Sequence, residues 1–189
     1  MKEIQEPSLQ ESVVQDLPGP QGIGMAVAID WGLAVQILLT PFFSLFSGQS
    51  KLANIPALNS FFGNALFFVV AFLAAGLLVS FGEMVRSGRN WARWIQLVFS
   101  AILSLSGLFS LINLYHSVTA GNFWPVITEL ILVVFSPLIV WRMSRPRTAR
   151  WFKAITPAAA RQRHSGKWVW FIALWALVGG ILQTLAAMR

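Results

Sequence analysis

The sequence predicts an all-α, polytopic membrane protein: a helical bundle of five transmembrane helices, N-terminus inside and C-terminus outside. Three observations carry this. The composition is 56% hydrophobic and only 11% charged, whereas soluble domains carry roughly 25% charged residues. Five apolar runs each have about the length that spans a bilayer. Twelve of the 14 Lys and Arg residues fall in alternate segments between those runs. In hydrocarbon each span must satisfy its own backbone hydrogen bonds, and runs of this length do so as α-helices, since barrel strands would be shorter and alternating.

Residues 1–22 form an acidic cytoplasmic tail, with Glu3, Glu6, Glu11 and Asp16 against Lys2, closed by the breaker run Leu17-Pro18-Gly19-Pro20. The tail lacks the basic start and adjoining apolar run of a cleavable signal peptide. Residues 23–188 form a single transmembrane helical domain. Span one covers about 25–46 and contains Pro41, expected to kink it. A Ser-, Asn- and Gly-rich loop with Lys51 leads to span two, about 61–82. The segment with Arg86, Arg89 and Arg93 precedes span three, about 94–116. A short uncharged connector then leads to span four, about 124–141, which has Pro125 in its first turn, where a missing N–H costs least, and a second proline at Pro137. The basic interfacial loop 142–167 holds Arg142, Arg145, Arg147, Arg150, Lys153, Arg161, Arg163 and Lys167, and span five, about 168–188, follows. The positive-inside rule places the basic segments and the N-terminus in the cytoplasm, consistent with a multi-pass protein of a bacterial cytoplasmic (inner) membrane. Trp91, Trp94, Trp141 and Trp168 then mark the inner interface and Trp124 the outer one.

The absence of Cys excludes disulfides, thiolate metal sites and a Cys nucleophile. The sequence contains no Gly-rich phosphate loop, His-Glu-x-x-His run or Gly-x-Ser-x-Gly elbow, so a non-enzyme without cofactor is expected. The net charge of +7 sits between spans without a nucleic-acid module, which points to topology and anionic headgroups rather than RNA or DNA.

The candidate intramembrane polar site comprises Glu129, His116, Ser104, Asn113 and Asp30. On span three, Gln96, Ser100, Ser104, Ser106, Gly107, Ser110 and Asn113 share about half the circumference at 100° per residue. That half is expected to face protein, either as a packing seam or as a lined path. Carboxylates inside spans are functional-site hypotheses by default. Asp30 lies near the inner end of span one, within reach of headgroup water or a neighbouring donor. Glu129 lies near the outer end of span four, on one face with Ser136 and level with His116, which suggests a Glu129–His116 pair. The two carboxylates lie at opposite ends, which argues against a paired-acid enzyme. His164, in the basic loop, is expected to be solvated. Arg145, Arg147, Arg150, Trp151 and Lys153 are candidates for contact with anionic lipid at the inner leaflet or with a partner, the aromatic rings inserted among headgroups.

The element Gly88-Arg89-Asn90-Trp91-Ala92-Arg93-Trp94, with Arg150-Trp151-Phe152 further on, resembles a broad group of small bacterial four-helix membrane proteins. These carry such elements before their third and after their fourth helices. The resemblance spans about residues 61–152 and implies an architecture of packed helices with basic inner loops; it brings no activity, and the fifth span and acidic tail depart from it. Small residues in spans two, three and five, including Ala71, Ala75, Ala176 and Gly180, favour close helix contact. The functional expectation is an accessory or assembly subunit of a larger membrane complex, or a self-associating scaffold, with other membrane subunits or copies of itself as partners. The alternative is a small oligomeric transporter or channel using Glu129 and the polar face of span three.

Overall fold

The computed structural model describes residues 20, 22–46 and 61–188. The tail through residue 19, the loop 47–60 with Lys51, and Arg189 lie outside the described residues. Every regular element described is helical, and five segments are long and apolar enough to cross a membrane. Span one is α1 (Ile23–Phe46), span two α2 (Phe61–Arg86) and span three α3 (Asn90–Thr119). Span four is built from α4 (Pro125–Glu129), a π-helical segment (Leu130–Phe135) and α5 (Ser136–Ser144). Two short helices follow, α6 (Pro146–Ala154) and α7 (Pro157–Arg163), and α8 (Lys167–Met188) is span five. The protein is a multi-pass helical membrane protein.

The helices outrun the expected spans at their basic ends. Span two continues from 82 to Arg86, span three starts at Asn90 rather than 94, and span four ends at Ser144 rather than 141. Charge ended the apolar runs but not the helices, because the charges there have partners. Arg86 Nε lies 2.7 Å from Glu83 Oε2, and Arg93 Nη1 donates to the Met143 carbonyl at 3.0 Å. Span one runs through Pro41 to Phe46 as one helix.

Span one is the central element, packed along its length against both span two and span five. Small residues make this close approach possible. A Cβ placed on Gly180 would lie 2.6 Å from the Gly32 carbonyl oxygen, and one on Gly32 would lie 3.4 Å from the Ala176 carbonyl oxygen. Ala71, Ala75 and Ala176 are buried. Span three instead packs on span four, with Gly107 against Leu132 and Val133. Spans two and three, although joined by a tight turn, make few contacts with each other. Near that turn Phe81 and Trp91 approach with ring centroids 6.4 Å apart.

The π-helical segment has a local cause. Pro137 offers no N–H to the helical ladder, and just before it the register widens so that the Ser136 N–H bonds to the Ile131 carbonyl. The Ser136 hydroxyl donates to the same carbonyl at 3.0 Å. A widened turn inserts in effect one residue, a phase shift of about 100°. Glu129 and Ser136 therefore do not share a face, contrary to what their sevenfold spacing implies. Both are buried, and the helices that carry them share span three as a neighbour, α4 packing also on span five and α5 also on span one.

Candidate intramembrane polar sites

Asp30 lies about 10 Å along α1 from Ile23, at ~1.5 Å per residue. Its side chain is fully buried, so it does not reach headgroup water as the sequence allowed. It accepts instead from Gln96 Nε2 of span three at 3.2 Å. Asp30 Oδ2 and Gln96 Oε1, both buried, have no hydrogen-bond partner. Beside it the Trp31 indole donates to the Val79 carbonyl of span two at 3.3 Å. The indole lies over Gly82, where an added Cβ would come within 2.7 Å of its nitrogen. Two consecutive residues thus tie span one to two different neighbours.

The polar face of span three is narrower than half a circumference. Arg93, Gln96, Ser100 and Gly107 are buried, and at 100° per residue they fall in one stripe about 60° wide. Ser104 and Ser110 flank it half-buried, while Ser106 and Asn113 are exposed. Leu97, outside this polar stripe, is also buried. The hydroxyls are engaged within their own helix: Ser104 donates to the Ser100 carbonyl at 2.7 Å and Ser110 to the Gly107 carbonyl at 3.0 Å. Such back-bonding satisfies a small polar side chain within its own helix.

Glu129 is buried with Oε2 unpartnered. The suggested pair with His116 is not made. Among the described residues, the ion pairs are those of Glu83 with Arg86 and Arg161, and no hydrogen bond joins Glu129 to His116. Helical phase explains this: His116 lies nine residues after Gly107, about 180° around the helix from the face that touches span four. It is exposed beside Tyr115, ring centroids 5.8 Å apart. Depth works against the pair as well: Gly107 lies against Leu132, so His116, ~13 Å further along span three, sits about 9 Å beyond Glu129, which is only ~4.5 Å from Leu132 along span four.

The segment 142–167 differs most from expectation. It forms a cap of two helices, α6 and α7, rather than an irregular loop. Pro146 and Pro157 occupy first-turn positions, Thr148 Oγ1 donates to the Arg142 carbonyl at 2.9 Å, and Thr156 Oγ1 caps α7 by accepting from the Ala159 N–H. Thr148, Trp151 and Phe152 on α6, and Ile155 just after it, recur at helical spacing and turn inward, with Trp151 only 1% exposed and Ile155 half-buried. Trp151 and Phe152 therefore do not insert among headgroups. Arg145, Arg147, Arg150 and Lys153 are exposed, and the Arg145 guanidinium stacks 3.8 Å from the Trp141 ring centroid.

The receiving surface is the turn between spans two and three. Gly88, at φ +72°, brings backbone against the cap: an added Cβ would lie 2.7 Å from Ile155 Cγ2 and 3.3 Å from Trp151 Cζ3. Arg86 Nη1 donates to the His164 carbonyl at 3.0 Å, and Arg161 pairs with Glu83 at 3.5 Å.

His164, expected to be solvated, is buried between Trp151 and Trp168, with ring centroids 5.8 and 4.8 Å away. Desolvation holds its pKa below the ordinary 6.5 and outweighs the backbone hydrogen bonds at Ala160 and Arg86 that raise it, while the Arg163 and Arg86 charges add to the lowering. The neutral form is favoured in the folded cap, so an unfolded cap binds the proton more readily. The contribution to stability is complete above pH 6.5 and is lost as pH falls below that value through the folded pKa. We expect the cap to loosen on mild acidification, with faster amide exchange over residues 146–164. A His164→Gln variant should abolish that pH dependence.

Comparison with protein-family models, with curated proteins and with solved structures finds no match to this chain.

Proposed function

We propose that this chain is a non-enzymatic membrane protein that works by contact, as an accessory or assembly subunit of a larger complex or as a self-associating scaffold. We place it in the cytoplasmic membrane of a bacterium, with the basic end and N-terminus inside. The observation that carries the reading is the separation of spans two and three. Neighbours joined by so short a turn ordinarily gain van der Waals contact by packing, yet these make few contacts and leave apolar faces open along their length, with Phe72 at 70% and Phe109 at 79% exposure. Gly32, Gly180 and Gly107 are already used for close approach within the chain, whereas Gly76 on span two has nothing within 4 Å of where its Cβ would be. A partner helix, from another subunit or another copy, seated between spans two and three would supply the missing contact.

Native mass spectrometry of the protein extracted from its own membrane without detergent tests this. The expected result is a stoichiometric complex or homo-oligomer. A bare monomer would overturn the reading. The transporter or channel alternative draws on the unpartnered Glu129 oxygen. It would gain from a homo-oligomer whose ion or proton flux in vesicles is lost in Glu129→Gln.

The exposed cations of α6 fit anionic headgroups, each contributing about 1 kcal/mol near a charged surface. Replacing Arg145, Arg147, Arg150 and Lys153 together by Gln is expected to reduce co-purifying anionic phospholipid several-fold and to leave the melting temperature nearly unchanged, because the buried face of the helix is untouched. Unchanged lipid retention would assign the cations to something other than headgroups.

A further inference from the structure

Asp30 and Gln96 hold one hydrogen bond between them, Gln96 Nε2 to Asp30 Oδ1, and are left with one oxygen each, Asp30 Oδ2 and Gln96 Oε1, buried and without a donor. Both side chains are fully buried. Two acceptors cannot satisfy each other, and a buried polar atom without a partner carries a desolvation penalty. One hydrogen resolves both. A carboxyl protonated on Oδ2 donates to the amide oxygen while its other oxygen accepts from the amide N–H, the two-bond pairing of a carboxylic acid with a carboxamide.

We propose that Asp30 and Gln96 form a proton-binding site within the membrane, in which Asp30 takes up one proton on Oδ2 and is neutral in the folded protein. The step is a simple protonation: a carboxylate and a proton give a carboxylic acid, and no other bond changes. Surrounding charges do not supply an alternative counter-ion. On span two, Glu83 is engaged by Arg86 and Arg161. On span three, Arg93 is turned to the Met143 carbonyl and to Asn90 Oδ1. On span four, Arg142, whose Nε is buried without a partner, packs against Gly22, eight residues or about 12 Å along the chain from Asp30, and on the span-five side His164 and Lys167 belong to the cap end. No cation pairs with Asp30 among the described residues. The site joins span one, centre of the group formed with spans two and five, to span three, which packs on span four. The proton therefore sits at a contact between the two halves of the bundle, and its loss leaves a buried carboxylate without a counter-ion at that junction.

The test is infrared spectroscopy of the purified full chain in lipid nanodiscs at neutral pH. Wild type is expected to show a carboxylic-acid C=O band that downshifts in D2O and is missing from Asp30→Asn. Glu129→Gln, measured in parallel, identifies any band from the other buried acid. Gln96→Leu is expected to shift the Asp30 band upward by removing its amide partner. Asp30→Asn is expected to melt close to wild type, because asparagine offers a C=O and an N–H where the protonated acid offers a C=O and an O–H. An acid band unchanged in Asp30→Asn, or a carboxylate band lost there instead, overturns the proposal. So does an Asp30→Asn chain that fails to fold, since a neutral isostere would then not replace the native group.

Discussion

Gly180→Ala is expected to lower the stability of the bundle by about 1–3 kcal/mol, the range for overpacking a close-packed interior. Gly179→Ala, one residue away, is expected to be neutral or slightly stabilising. The added Cβ at Gly180 meets the Gly32 carbonyl oxygen and Val35 Cβ, each at 2.6 Å, whereas at Gly179 it meets nothing within 4 Å. The clash is with backbone, so rotamer changes do not relieve it; spans one and five must move apart. In an unconstrained helix alanine is favoured over glycine by about 1 kcal/mol, which makes the opposite signs at adjacent residues diagnostic. Thermal melts of the two variants in nanodiscs read the difference directly. Equal melting temperatures would mean that the two helices are not in contact at Gly32.

Gly88→Ala is expected to act on the cap and to leave the spans in place. An L-residue in the left-handed region costs roughly 1–2 kcal/mol, and here the Cβ also presses on Ile155 Cγ2 at 2.7 Å and on Ala160 Cβ at 3.3 Å. Overpacking adds at least ~1 kcal/mol. Limited trypsin digestion is the readout. Cleavage at Arg150 and Arg161 should accelerate several-fold, while the helical signal of the spans persists. If digestion were unchanged, the turn between spans two and three would not be what holds α6 and α7. The contrast with Gly180→Ala separates two packing units that a single melting curve would merge.

The spans, their number and the small-residue contacts were legible in the sequence because each depends on a local run of one chain. Ala176 and Gly180 announce a close approach without naming span one as the neighbour. The cap was half legible. Thr148, Trp151, Phe152 and Ile155 at i, i+3, i+4 and i+7 are an amphipathic helical pattern, but the surface that buries them is the turn at Gly88, some 60 residues earlier, and density of positive charge pointed to headgroups instead. His164 was misplaced for the same reason, since its two tryptophan neighbours come from different elements. Glu129 and His116 show the complementary limit. Topology put both toward the outer end, but the register that sets Gly107 against Leu132 leaves them about 9 Å apart in depth, and the phase of span three after Gly107 set a direction that no count along the chain contained. Asp30 was singled out as an acid inside a span, and Gln96 as a polar residue on span three. Their meeting required the packing of two helices 66 residues apart.

The seam between Gly32 and Gly180 also fixes an order of assembly. Span one is synthesised first of the five and span five last, and the widest sequence separation in the bundle lies between them, so loop closure is slowest there. Until span five has entered the membrane, the face of span one bearing Gly32 and Val35 has no neighbour in its own chain. A nascent chain stalled after span four would therefore present that face to the surrounding machinery. Capture of such an intermediate by an insertase or membrane chaperone is expected to occur through span one, and to be released when span five docks.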